Sequence, residues 1–201
     1  LRTHDLARRP MHADEANQAV KLGELLDAGR YAFVPRDHHG PTLYFAAVPI
    51  AWLRRERSLA TLTETTVRLV PALFGTAAVI LLALLAAPLG RWPALAAAAL
   101  FALAPPTVYY SRYFIQETLL LTFALATFLA VRTWWRTGLM RWAIAAGIGV
   151  GLMQATKASA PLFLAAAAIA CALARPGKFE TRRPRRDLAV ALIAALGTAV
   201  Q

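Results

Sequence analysis

The chain has 201 residues, of which 58% are hydrophobic and 16% are charged, and its formal net charge is +11. A soluble domain carries about 25% charged residues, so this composition argues against a soluble globule, and the positive mean hydropathy of +0.49 excludes a disordered chain. Eight of the eleven acidic residues precede Leu69, and apolar runs separated by arginines follow. A strongly basic soluble protein would suggest a nucleic-acid partner, but basic residues between apolar segments are the membrane pattern. The composition therefore predicts an all-α, polytopic helical membrane protein that does not bind nucleic acid.

Residues 1–65 are predicted to form a loop outside the membrane, with two helices that lie along the membrane surface. The first, at about 14–28, begins with an acidic pair and continues as an amphipathic pattern (DEANQAVKLGELLDAG). The second, at about 41–54, has an apolar run of only 13 residues that contains Pro49 and precedes an arginine cluster. Runs of about 10–14 residues are more often interfacial than spanning. If 41–53 crossed the membrane instead, residues 1–40 would lie on the opposite side.

Six later segments are predicted to be transmembrane helices, because a spanning helix needs about 20 apolar residues. They lie at about 66–89, 92–110, 114–135, 140–155, 158–174 and 187–201. Lys157 separates the fourth from the fifth, since a lysine at the bilayer centre costs several kcal/mol. The chain starts at Leu1 and stops at Gln201 inside an apolar run, so we expect a fragment of a longer protein that lacks its first helix.

The positive charges predict the side of the membrane on which each loop lies. With the second helix in the interface, the inner loops hold ten basic residues, whereas the two short outer turns hold two, Arg112 and Lys157. Such an excess of arginine and lysine is typical of cytoplasmic loops. The first loop and the outer turns are therefore predicted to share the extracytoplasmic face.

This outer face collects the candidate site residues. Asp14 and Glu15 are the candidate catalytic acids, and the candidate substrate-binding residues are His38, His39, Tyr110, Arg112, Glu117 and Lys157. Carboxylates paired with cations suit a transfer reaction in which a hydroxyl attacks and a phosphate leaves. The sequence has no zinc spacing, Gly-rich phosphate loop or nucleophile elbow, and a divalent metal near the acids has no support in it. We therefore predict no metal site and no cofactor, with a divalent metal near the acids as an alternative that the sequence leaves open.

Each of these residues also has a structural interpretation that the sequence leaves open. Acids at the start of a helix commonly cap it or interact with its dipole. Arg112 and Glu117 would suit an ion pair that ties two helices together, and Lys157 would suit a side chain that extends from a helix end to the membrane surface. Two adjacent histidines also occur in ordinary solvated turns.

Five short motifs occur in a recognisable order along the chain. They are RRPMHADEA (8–16), RDHHGPTLYF (36–45), TVRLVPALFG (66–75), YYSRYFIQET (109–118) and GLMQATKASA (151–160). With them the chain resembles the N-terminal module of the GT-C membrane glycosyltransferases, and in particular glycosyltransferase family 39 and the protein O-mannosyltransferases. MHADEA and HHGP further resemble a prokaryotic branch named flippase activity-associated. The resemblance implies a GT-C-type module with interfacial helices in its first outer loop.

The resemblance also implies roles for individual residues. Asp14 would be the catalytic base with Glu15 beside it, and the Thr156–Lys157 turn would meet the lipid phosphate. Arg112 and Glu117 match an arginine and an acid that the family places at the outer end of a later helix. The chain departs from the family's HPPL motif, because a glycine replaces one proline and two histidines replace a Glu-Lys pair. The donor-phosphate contact at that point is therefore left open.

We expect an inverting membrane glycosyltransferase that moves a sugar from a polyprenyl-phosphate donor to a glycan or protein acceptor. The reaction is expected at the extracytoplasmic face of the inner membrane. Because the donor arrives activated, no nucleotide or redox cofactor is needed. One alternative is a non-catalytic membrane protein that assists the flipping or positioning of lipid-linked sugars. A secondary transporter is disfavoured because the sequence shows no convincing internal repeat.

Overall fold

The computed structural model describes residues 1–31, 33, 39–85 and 90–173. All regular structure in these residues is helical and none is strand, which confirms the predicted all-α class for this part of the chain. The helices are α1 (Ala13–Ala28), α2 (Thr42–Leu53), α3 (Glu64–Leu84), α4 (Arg91–Leu103), α5 (Pro105–Tyr110), α6 (Glu117–Thr137), α7 (Met140–Thr156) and α8 (Ala160–Leu173). A 3₁₀ turn at Leu59–Thr61 precedes α3.

Two of these helices are long and apolar enough to cross a membrane, by length and composition. They are α3 and α6, each with 21 residues, and each would extend about 31 Å, close to the ~30 Å hydrocarbon core. The helices α2, α4 and α8 are apolar but shorter. The multi-pass arrangement stays a prediction, and the predicted span at 187–201 lies outside the described residues.

The predicted span at 92–110 is two helices rather than one. Ala104 has φ −58° and ψ 127°, an extended conformation, and Pro105 and Pro106 begin α5. A residue before proline is biased away from the helical region, and proline donates no backbone hydrogen bond. The proline pair therefore ends α4 at Leu103 and starts α5.

The chain divides into two compact units, Leu1–Thr122 and Phe123–Gln201, with the boundary inside α6. In the first unit α3 packs against α4 and α2, and α1 packs against α2 and the 3₁₀ turn. In the second unit α7 packs against α8. A Cβ at Gly149 on α7 would overlap Oγ1 of Thr127 on α6, so glycine is needed for this close approach.

One side of α1 faces the interior of the first unit. Its buried positions recur at helical spacing and include Glu15, Gln18, Lys21, Leu22 and Leu25. The helix begins after His12, whose Nδ1 accepts a hydrogen bond from the N–H of Asp14. It ends at Gly29, whose φ of +65° is a left-handed conformation that glycine adopts without steric cost.

The loop between α2 and α3 is organised around the buried carboxylate of Glu56, which is 7% exposed. Oε1 accepts hydrogen bonds from Nε of Arg54 at 3.2 Å and from the hydroxyl of Thr63 at 2.9 Å, and Oε2 accepts one from the Thr63 N–H at 3.1 Å. Burial raises the pKa of Glu56. The hydrogen bonds from Thr66, Thr63 and Arg54 lower the pKa by more, so it lies below its ordinary value. Since Thr63 caps α3, the carboxylate fixes where that helix starts.

Candidate functional site

A buried ion pair joins α1 to α3. Glu15 and Arg68 have side chains that are 0% and 1% exposed. Nε of Arg68 donates to Oε1 of Glu15 at 2.7 Å, and Nη2 donates to Oε2 at 2.8 Å. This is a bidentate ion pair, which is among the strongest hydrogen-bonded arrangements of two charged side chains. Nη1 of Arg68 also donates to the carbonyls of Leu6 and Arg9, at 2.6 and 2.7 Å, so the guanidinium organises the chain before α1 as well.

The carboxylate of Glu15 has further partners. Nη2 of Arg9 donates to Oε2 at 3.4 Å, and the N–H of Phe114 donates to Oε1 at 3.2 Å. A carboxylate has about four lone-pair sites, and the two bonds from Arg68 together with these two fill them. Glu15 therefore positions its neighbours and does not accept a substrate proton, because all of its lone pairs are used by protein donors.

Asp14 has different surroundings, although it is the adjacent residue. Consecutive residues of an α-helix point about 100° apart, and the Asp14 side chain is 73% exposed. Its Oδ2 lies 3.7 Å from Nδ1 of His12. The ring of His12 in turn meets the ring of Tyr113 edge-on, with the ring centroids 5.7 Å apart. Asp14 is therefore the acid of the pair that a substrate can reach.

Residues 1–10, called here the leading segment, are held by Arg68 of α3 and by Arg112 in the turn after α5. Arg68 binds two of its carbonyls, as described above. Nη1 and Nη2 of Arg112 donate to the carbonyls of Leu1 and Asp5, at 3.3 and 2.8 Å. Nη2 of Arg9 reaches back to the carbonyl of Arg112 at 3.5 Å. These bonds bring the leading segment next to α3 and to the turn that follows α5.

A cavity of about 460 Å³, called here the arginine cavity, lies between the leading segment and the α4–α5 break. Its charged lining is Arg8, Arg9, Arg68 and Arg112, and its other lining residues are Leu1, Leu6, Leu103, Pro105, Val108 and Tyr109. Glu15 neutralises one of these charges, so the cavity is positive. The guanidinium of Arg8 has no hydrogen bond or ion pair with the other residues that the structure describes. The lining therefore suits an anion that carries an apolar group.

An aromatic group connects the arginine cavity to the surroundings of Asp14. The guanidinium of Arg9 lies 4.7 Å from the ring centroid of Tyr109 and 5.1 Å from that of Tyr113, and the two rings stack. Cation–π contacts of this kind hold an arginine in place without neutralising it. Burial and the negative charge of Asp14 raise the pKa of Tyr113, so its phenol is neutral at physiological pH.

Buried polar side chains fix α1 from its inner side. Oε1 of Gln18 accepts a hydrogen bond from the Tyr44 hydroxyl on α2 and another from Nε2 of Gln116, at 3.1 Å, just before α6. Gln116 is 1% exposed and Tyr44 is 0% exposed. The helix that carries Asp14 is thus tied to two other elements of the first unit.

The structure distributes the other predicted site residues over several places. Arg112 lines the arginine cavity, whereas Tyr110 and Glu117 line a second cavity of about 210 Å³ together with Phe101 and Leu121. His39 is exposed, and its carbonyl accepts a hydrogen bond from the Tyr31 hydroxyl at 3.1 Å. Lys157 follows α7 in the second unit and is half-buried. His38 lies outside the described residues.

Arg8, Arg9 and Arg68 were not identified from the sequence as residues of this site. Arg68 falls inside the predicted span at 66–89, where the sequence predicts no role for it, and in the structure it lies within α3 and is buried. An arginine at the edge of an apolar run is itself a signal for a buried partner. In the parts of the chain that the structure describes, no three His, Cys, Asp or Glu side chains gather as a metal site requires.

Comparison with known proteins gives one match. The sequence profile of the dolichyl-phosphate-mannose-protein mannosyltransferase family matches residues 50–200. The matched range contains Arg68, Arg112, Glu117 and Lys157, and it starts after the acids of α1. No curated protein and no solved structure matches the chain.

Proposed function

Because the chain belongs to the dolichyl-phosphate-mannose-protein mannosyltransferase family, a group of membrane-embedded glycosyltransferases of the GT-C type, we propose that it transfers a sugar from a polyprenyl-phosphate donor. The acceptor is a hydroxyl of a glycan or a protein at the extracytoplasmic face of the inner membrane. The arginine cavity, placed next to one exposed and one buried acid, is the arrangement that supports this reaction.

Asp14 is the catalytic base of the proposed reaction. Its side chain is 73% exposed, whereas the carboxylate of Glu15 is filled by protein donors. A general base must reach the proton that it removes, and exposure meets this requirement. Glu15 acts through its partners, because it fixes Arg68 and Arg9 beside the arginine cavity.

The arginine cavity holds the donor phosphate in this proposal. Arg8, Arg9 and Arg112 supply donors for the phosphate oxygens, and the apolar lining receives the first part of the polyprenyl chain. As the sugar–phosphate bond breaks, negative charge develops on the leaving oxygen. Fixed guanidinium groups stabilise that charge more strongly in the transition state than in the bound donor.

The chemistry is a single displacement. The acceptor oxygen forms a bond to the anomeric carbon while the bond from that carbon to the phosphate oxygen breaks, and the configuration inverts. Asp14 takes the acceptor proton, and the polyprenyl phosphate leaves with the bonding electrons. The donor is already activated, so the step as proposed uses no further cofactor.

The remaining predicted residues have binding roles in this proposal. Tyr110 and Glu117 share a mainly apolar cavity, where the carboxylate would contact sugar hydroxyls. The family resemblance assigns the Thr156–Lys157 turn to the lipid phosphate, whereas His38 and His39 stay candidate substrate-binding residues because the chain departs from the family there.

The observation that carries the proposal is the contrast between the two adjacent acids beside the arginine cavity, and it gives a direct experiment. The full-length protein is purified in detergent, and two quantities are measured: sugar transfer from a labelled polyprenyl-phosphate donor, and binding of that donor. Asp14→Asn should abolish transfer while donor binding stays within about twofold. Asp27→Asn is the matched control, because it is an exposed acid at the other end of α1 and should leave both unchanged.

The same experiment tests the non-catalytic alternative. A protein that only flips or positions lipid-linked sugars would bind the donor, and neither the wild type nor Asp14→Asn would form a product. That result would contradict the proposed transfer reaction.

A further inference from the structure

The proline pair at the start of α5 removes two hydrogen-bond donors from α4. In a continuous α-helix the N–H of each residue donates to the carbonyl four residues earlier, so residues 105 and 106 would serve Phe101 and Ala102. Proline has no N–H, and a partly buried carbonyl without a donor is destabilising by about 1–3 kcal/mol. Another group has to bind these carbonyls.

Arg2 binds both of them, and it shares the carbonyl of Phe101 with the hydroxyl of Thr107. Nη2 donates to the carbonyl of Phe101 at 2.7 Å, and Nη1 donates to that of Ala102 at 2.9 Å. Nε donates to Oγ of Ser111 at 3.1 Å, at the far end of α5. The side chain is 7% exposed, and its guanidinium lies 5.5 Å from the ring centroid of Phe101. One residue of the leading segment therefore joins the helices on both sides of the break.

The helix α3 has a recess for this contact. A Cβ at Gly75 would overlap the Ser111 hydroxyl and would lie 3.2 Å from Nε of Arg2. The hydroxyl of Ser111 also donates to the carbonyl of Thr107 at 2.6 Å. Glycine at this position allows Arg2 and Ser111 to reach α3, so three helices meet at one guanidinium.

We propose that Arg2 is a positioning residue for the arginine cavity, because it replaces the two amide donors that the prolines remove. It holds the break between α4 and α5 in the conformation that presents Tyr109 and Arg112. The inference rests on the proposed function, in which those two residues line the donor-phosphate site. Arg2 also anchors the leading segment, which forms the opposite wall of the cavity.

A double-mutant cycle tests the first part without an activity assay. Thermal unfolding of the full-length protein in detergent is compared for wild type, Arg2→Ala, Pro105→Ala/Pro106→Ala and the combined variant. Alanines restore both N–H donors, so Arg2→Ala should lower the Tm by several degrees with prolines present and by about half that or less with alanines. An equal loss in both backgrounds would overturn the inference.

Kinetics test the positioning role. Arg2→Ala should raise the KM for the polyprenyl-phosphate donor about 5- to 10-fold with kcat within about twofold, since Asp14 is not displaced. A purely structural loss would lower the amount of folded enzyme and leave the KM unchanged, which would contradict the positioning role. Arg2→Lys should restore the KM in part, because an ammonium still donates to one or two of the three acceptors. Arg30→Ala, an exposed arginine outside the cavity, is the control.

The two readouts separate this inference from the proposed function. If the wild-type protein transfers no sugar, the proposed function fails, while the unfolding cycle still reports whether Arg2 and the proline pair are coupled. If transfer is observed and the cycle shows no coupling, the inference fails alone.

Discussion

Arg68 binds both carboxylate oxygens of Glu15, at 2.7 and 2.8 Å, although the two residues are 53 positions apart in the chain. Both side chains are almost completely withdrawn from solvent. A buried pair of this kind is costly to separate, because the partner that remains keeps a buried charge. The pair therefore fixes α1 to α3 and sets the position of Asp14, which is adjacent to it.

The first prediction concerns the stability of the two adjacent acids. Glu15→Gln should lower the free energy of unfolding by about 3–5 kcal/mol, because it leaves the buried Arg68 without a charged partner. Asp14→Asn should change it by less than about 0.5 kcal/mol, as expected of an exposed residue. Denaturant unfolding of the full-length protein in detergent measures both. Equal effects of the two substitutions would contradict the arrangement described here.

A second prediction concerns the arginine cavity. Arg8→Ala should raise the KM for the polyprenyl-phosphate donor about fivefold with little change in kcat, because one charge-assisted contact to the phosphate is lost from an exposed position. The dependence of KM on ionic strength should also weaken. Initial rates at two salt concentrations measure this, with Arg30→Ala as the control. An unchanged KM would exclude Arg8 from the donor site.

A third prediction concerns pH and the loop before α3. Burial raises the pKa of Glu56, but its hydrogen bonds lower it by more, so the folded pKa lies below the pKa of the unfolded chain. The stability that this carboxylate contributes is present above the unfolded pKa and is lost as the pH falls through the folded pKa.

Glu56→Gln should therefore lower the free energy of unfolding at pH 7 by about 1–2 kcal/mol. The difference from the wild type should shrink as the pH falls below about 4. Unfolding at a series of pH values measures it, with the exposed Glu24→Gln as the control. A difference that is constant with pH would show that ionisation of Glu56 makes no contribution.

The fourth prediction lies in the second unit. Gly149→Ala should destabilise the protein by about 1–3 kcal/mol, because its Cβ would overlap the hydroxyl of Thr127. Thr127→Ala should recover much of that loss in the double variant, since it removes the overlapping atom. Unfolding of the single and double variants measures the coupling. Additive effects would mean that the two residues do not meet.

Much of the fold could be predicted from the sequence, because helices in this chain follow its apolar runs. The helix α1 starts at its acidic pair as predicted, whereas the predicted span at 92–110 overlooked that the proline pair ends α4. The burial of Glu15 could also have been found, because it lies within about 20° of Leu22 around the helix axis. The exposure of Asp14 could not, because its rotation of about 100° from Glu15 brings it close to the angular position of the buried Leu25.

The partners of Glu15 could not be predicted from the sequence. Its bonds to Arg68, Arg9 and Phe114 depend on how the leading segment crosses the helix ends, and that path is set by side chain to carbonyl bonds. Such bonds leave no periodic signal in a sequence. The same is true of Arg2, whose acceptors follow about a hundred residues later, at a proline pair that only the fold brings near.

Chemical rescue tests most directly the central claim that the exposed carboxylate of Asp14 removes the acceptor proton. Single-turnover sugar transfer by full-length Asp14→Ala should be slower than the wild type by about 10²- to 10⁴-fold. Added formate should restore part of the rate, because position 14 is exposed to solvent and formate can bind where the Asp14 carboxylate was removed. Transfer by Asp14→Ala at the wild-type rate, without formate, would contradict the account.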